Sequence, residues 1–152
     1  MLNKSKMNEA QKAKYEQILG LDLKYAEDEV TKDLTPTLGK DAAEAEAKAD
    51  VDCYHDFLFI TWYLLAQPRT KAAAPCVCAD RIWHEHILVT PQYRADCNTV
   101  FGKYLDHVPS DYAKYAIVTV TASDRQVVND AYAQFDGHCN EQRDECIWCG
   151  TP

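Results

Sequence analysis

The sequence predicts an all-α fold: a compact single-domain bundle of about five helices with a cysteine-rich C-terminal tail. Three observations carry that reading. From Asp41 a run of strong helix formers leads into Val51, Tyr54, Phe57, Leu58, Thr61, Leu64 and Leu65 at spacings of three and four, which makes one long helix over about 41–66 with its second half buried. Two further apolar stripes meet at Thr90-Pro91, where an N-cap and a first-turn proline separate helices over about 79–89 and 91–106. Ile117 to Thr121 is β-branched, but a single strand has nothing to pair with, so it reads as an extended connector.

The remaining elements follow in order. Asn8 caps a short helix whose apolar positions Tyr15, Ile18 and Leu19 lie near its end, and Gly20 is placed to stop it. Residues 21–40 carry five acidic side chains and then Thr35-Pro36-Thr37-Leu38-Gly39, a pattern that predicts a loop or hinge. Asp80, Trp83, His84, Ile87 and Leu88 define the helix before Pro91, with Trp83 and Ile87 facing inward. Tyr93, Cys97, Val100, Phe101, Tyr104 and Leu105 form the stripe of the next, which Asp106-His107 closes as a C-terminal cap. Ser123 or Asp124 caps a last helix bearing Val127, Val128, Ala131, Tyr132 and Phe135, ended by Gly137. The expected division is a helical domain over 1–137, with its core at about 41–136, and a tail over 138–152.

Composition narrows the function. At 152 residues the chain is one domain, and 47% hydrophobic with 26% charged residues is a globular balance. A net charge of −8, from 24 acidic against 16 basic residues, disfavours a nucleic-acid surface, which needs clustered Lys and Arg. The most apolar stretch, Phe57 to Ala66, is far short of the about 20 residues needed to cross a bilayer. No apolar signal core follows Met1, so the expected location is the cytoplasm, with seven cysteines serving as reduced thiols or metal ligands rather than as a disulfide framework. With only five glycines and no phosphate-cradling loop, no nucleotide cofactor is expected.

Two clusters carry chemistry. In Asp80-Arg-Ile-Trp83-His84-Glu-His86-Ile-Leu88, Asp80 and His84 share a helix face, whereas His86 lies about 200° from His84, so the two histidines cannot ligate one ion from a regular helix. Asp80 is placed to orient His84 or to join it as a ligand. The plainer account, which the residues favour, makes Asp80 a helix cap and packs Trp83 and His84 against satisfied neighbours. The second cluster is His138-Cys139 followed by Cys146-Ile-Trp-Cys149: two thiolates two residues apart can bite one zinc, with Cys139 and His138, or Cys76 or Cys78, completing four ligands. A dithiol switch and a tail of free thiols are the alternatives. Cys97, on an apolar stripe, reads as a small buried hydrophobe, and His55, on the polar face of the long helix, as solvent-exposed.

The segments Tyr54-His-Asp-Phe57-Leu58, Asp80-Arg-Ile-Trp83-His84-Glu-His86-Ile-Leu88, Tyr93-Arg-Ala-Asp96-Cys97 and Phe101-Gly102-Lys-Tyr-Leu105-Asp-His107-Val-Pro109 resemble the glycine-rich domain-containing protein-like family, in its small bacterial single-domain members. The resemblance covers roughly residues 50–135 and implies a compact helical domain without assigning a reaction. Where members of that family commonly carry two adjacent histidines this chain has Asp106-His107, and the tail cysteines are not a family feature.

The leading expectation is a small cytoplasmic metal-binding or metal-handling protein. Its candidate ligands are Cys139, Cys146, Cys149, His138, His84, His86 and Asp80, and its metal is zinc or another soft transition metal. No catalytic residue is assigned. The alternatives are a non-catalytic module in which Trp83 and Trp148 meet a protein partner, and a scaffold whose Cys-rich tail is modified by a partner enzyme.

Overall fold

The computed structural model describes residues 1–67, 75–107 and 122–137. Among them every regular element is helical: after a 3-10 turn at Lys4–Lys6 come α1 (Glu9–Leu19), α2 (Lys24–Leu38), α3 (Lys40–Leu65), α4 (Val77–Leu88), α5 (Thr90–Phe101) and α6 (Ala122–Gln134). The 117–121 segment and the 138–152 tail lie outside the described residues.

The central element is α3, which packs against α1, α2, α4, α5 and α6. Its core face carries Tyr54, Phe57, Leu58, Phe59, Ile60 and Leu64, all buried. Such a helix has no solvent face in its second half, which corrects the expectation for His55. That side chain is buried, and neither ring nitrogen has a hydrogen-bond partner among the described residues. Burial lowers its pKa from 6.5 to about 4, so it is held as a neutral imidazole.

The expected hinge over residues 21–40 is instead α2, a helix of 15 residues packed on α3 and α4. Ala26 and Val30 are buried and Leu34 partly so, a spacing of four that lays one apolar row along the helix. Pro36 sits in its last turn, where it removes its own N–H bond back to the preceding turn and α2 ends two residues later. Gly39, at φ +80°, then turns the chain directly into α3.

At the N-terminus, Asn8 and Gln11 form a reciprocal capping box that starts α1. The first residues are tied into the core. The Leu2 amide donates to Asp56 at 3.1 Å and to the Tyr15 hydroxyl at 3.2 Å, and Tyr15 donates to Asp56. The Asn3 amide donates to the Phe135 carbonyl at 2.8 Å, which brings Leu2 against Gly137. A Cβ at Gly137 would lie 2.2 Å from the Leu2 Cδ2, so any larger residue there would force the Leu2 side chain to shift.

Candidate metal centre

The turn α4–α5 organises the chemistry. Thr90 is the first residue of α5, Val89 its cap, and Pro91 lies in its first turn. The helix stops at Phe101 because Gly102 adopts the left-handed conformation, φ +69°, and its amide closes the last turn on the Asn98 carbonyl. This corrects the expectation of a helix to residue 106 capped by His107. The chain instead turns back at Gly102 and runs towards α4.

A hydrogen-bond relay fixes that return. Buried Trp83 on α4 donates its indole N–H to the Tyr93 hydroxyl of α5 at 2.8 Å, and Tyr93 donates to the Leu105 carbonyl at 2.5 Å. Burial pushes the Tyr93 phenol pKa up, which keeps it a proton donor. Two residues beyond Leu105, the imidazole of His107 packs edge-on to the Trp83 ring, centroids 4.4 Å apart. There it meets α4.

The result is a three-residue cluster. His107 Nε2 lies 2.8 Å from Asp80 Oδ1 and 3.1 Å from His84 Nε2, and His84 Nε2 lies 3.5 Å from Asp80 Oδ2. One ligand atom from each residue lies within 4.8 Å of the others. His107 is nearly buried while His84 is half exposed, so the cluster has one face in the protein and one in solvent. Two imidazoles and a carboxylate converging on one point form a ligand set used for zinc and other divalent transition metals.

Asp80 and His84, read from their spacing, are thus brought together, and the third member is His107. Asp80 does not cap α4; Cys76 occupies the cap position. His86 is placed elsewhere. Its ring is buried, with Nε2 at 3.0 Å from Asp96 and Nδ1 at 3.1 Å from the Tyr54 hydroxyl. A neutral ring protonated at Nε2 satisfies both partners, donating to the carboxylate and accepting from the phenol. Burial lowers its pKa, against the pull of Asp96. His138, Cys139, Cys146 and Cys149 lie outside the described residues. Cys97 is buried beneath α5, as its place on the stripe predicted.

A second convergence was not singled out by spacing. Cys53 of α3 lies 3.0 Å, sulfur to sulfur, from Cys76, and Cys76 lies 2.9 Å from Cys78 at the start of α4. Cys53 and Cys97 are free thiols. Only the Cys76-Val-Cys78 pair left a sequence signal; its partnership with Cys53 arises from the α3–α4 packing.

The chain belongs to the UCP032817-like family, which matches residues 29–132. That match corrects the resemblance to the glycine-rich domain-containing protein-like family, which is a different family. The match contains Asp80, His84, His107 and the three clustered cysteines, and ends before the 138–152 tail. No curated protein and no solved structure matches the chain. No described helix is long and apolar enough to cross a membrane.

Proposed function

We propose that this chain is a small metal-binding protein that holds a divalent transition-metal ion, zinc foremost, on Asp80, His84 and His107. The supporting observation is the convergence of two Nε2 atoms and a carboxylate, delivered by two elements, on one half-exposed point. An i,i+4 pair on one helix supplies two ligands, and the relay from Trp83 through Tyr93 to Leu105 sets the third. Three protein ligands leave coordination positions for water or an incoming donor, the arrangement of open rather than purely structural sites. In this reading Trp83 is a positioning residue, since its ring supports His107.

Elemental analysis of protein purified without a metal-affinity tag and reconstituted with Zn2+ tests the proposal. The full chain should lose one equivalent on His84→Ala and on His107→Ala, and none on His86→Gln. Replacing Cys139, Cys146 and Cys149 together by Ser should leave that equivalent in place. Retention of all metal by His107→Ala, or loss of all of it with the tail cysteines, would overturn the assignment.

A further inference from the structure

The seam between α3 and α4 carries a second group of donors, distinct in chemistry from the first. Cys53 projects from α3, while Cys76 and Cys78 occupy the cap and the second residue of α4. Their three sulfurs lie within 4.8 Å of one another, with Cys76 in the middle. Cys76 is buried, and Cys53 and Cys78 are of intermediate burial. Ordinary core packing calls for no such grouping of thiols.

From this geometry we infer a soft-metal site in which Cys53, Cys76 and Cys78 bind a thiophilic d10 cation as three thiolates. Three sulfurs at about 2.3 Å from one ion stand roughly 3.8 Å apart. The observed triangle reaches that by opening slightly within its present 4.8 Å limit. Thiolate donors select soft and borderline ions such as Zn2+, Cd2+ and Cu+ over Mg2+ or Ca2+. Binding exchanges three S–H protons, released to solvent, for three metal–sulfur bonds, with no change of oxidation state.

The surroundings hold charge of both signs. Cys76 lies at the amide end of α4, where unpaired N–H groups favour anions. Arg81, one turn on from Cys78, adds a guanidinium that pairs with Asp50 at 3.0 Å and Glu46 at 3.2 Å along the same seam. Asp50 is the opposing neighbour: burial chiefly, and Cys78 beside it, raise the pKa of its carboxyl against the pull of Arg81. Because none of these residues belongs to the Asp80 cluster, the inference stands independently of the proposed function.

The test uses Cd2+ as probe on the reduced full chain carrying Cys139→Ser, Cys146→Ser and Cys149→Ser, so that only the seam and Cys97 supply thiols. One equivalent of Cd2+ should raise a sulfur-to-metal charge-transfer band, with a 113Cd chemical shift in the three-sulfur range. The band should be lost in Cys53→Ser and in Cys76→Ala, and remain in Cys97→Ser and in His84→Ala/His107→Ala. The 113Cd shift counts sulfurs without any seam substitution, so it decides the matter even if those variants fail to fold. A nitrogen- and oxygen-range shift, a band that survives Cys53→Ser, or a Cys53–Cys76 disulfide in place of bound ion after reduction and anaerobic handling would overturn the inference.

Discussion

His84 and His86 stand two residues apart on one helix and have opposite fates. The side chain of His86 is 4% exposed and that of His84 50%. A separation of about 200° turns one towards α3 and α5 and the other towards solvent and the returning 102–107 segment. The buried ring spends both nitrogens on Tyr54 and Asp96, so no lone pair is left for an ion. The exposed ring instead aims Nε2 at two other potential ligands. The pair teaches that an imidazole within a dense His motif is a ligand candidate only where its lone pair is not already committed to the core.

The largest effect expected in breaking this contrast comes from Trp83, which supports both environments through Phe57, Tyr93 and His107. Trp83→Ala should cost about 3–5 kcal/mol in denaturant melts, as for a large buried aromatic, and should lower metal affinity as well. A loss below about 1 kcal/mol would remove Trp83 from the core.

Acid should act next, through the buried imidazoles. The pKa of His55 falls from 6.5 to about 4 on folding because of burial, and that of His86 is also lowered. With the native pKa depressed, the unfolded chain takes up protons first. The stability is therefore fully present above pH about 6.5 and is lost as pH falls towards about 4, on the order of 3 kcal/mol from His55. His55→Leu should flatten that limb in melts recorded from neutral to acid pH; an unchanged slope would show that His55 is solvated.

His86→Leu removes the partner of two polar groups at once and should cost about 2–3 kcal/mol with no loss of metal. The smallest effect on stability belongs to His84→Ala, within about 0.5 kcal/mol in the metal-free protein, since the side chain is half exposed. The same substitution should abolish the metal-dependent rise in melting temperature.

The sequence revealed most where apolar residues recur densely. The spacing over 41–66 located α3 to within a residue at each end, and Thr90-Pro91 marked the α4–α5 junction. It misled where a single row of small apolar residues had to compete with Pro36 and Gly39: only Ala26, Val30 and Leu34 mark the buried side of α2, among many charges. His55 was misplaced because its helix is amphipathic only if one side meets water, and α3 is surrounded. For the site, the Asp80–His84 pairing was readable from helical geometry. His107 was not, because its position depends on a left-handed turn at Gly102 and on the Tyr93–Leu105 bond. The Cys53–Cys76 contact joins residues from separate helices, so no local period announces it.

The most direct test of the central claim reads each imidazole separately. Long-range 1H–15N spectra of the chain with Cys139, Cys146 and Cys149 replaced by Ser should resolve the ring nitrogens of His84, His86 and His107 during saturation with Zn2+. The account predicts that the Nε2 resonances of His84 and His107 move together to metal-bound positions while His86 keeps its tautomer and both its nitrogen shifts. If His84 and His107 stay where they were at saturating Zn2+, the cluster is a hydrogen-bonded surface group and the proposed metal centre is wrong.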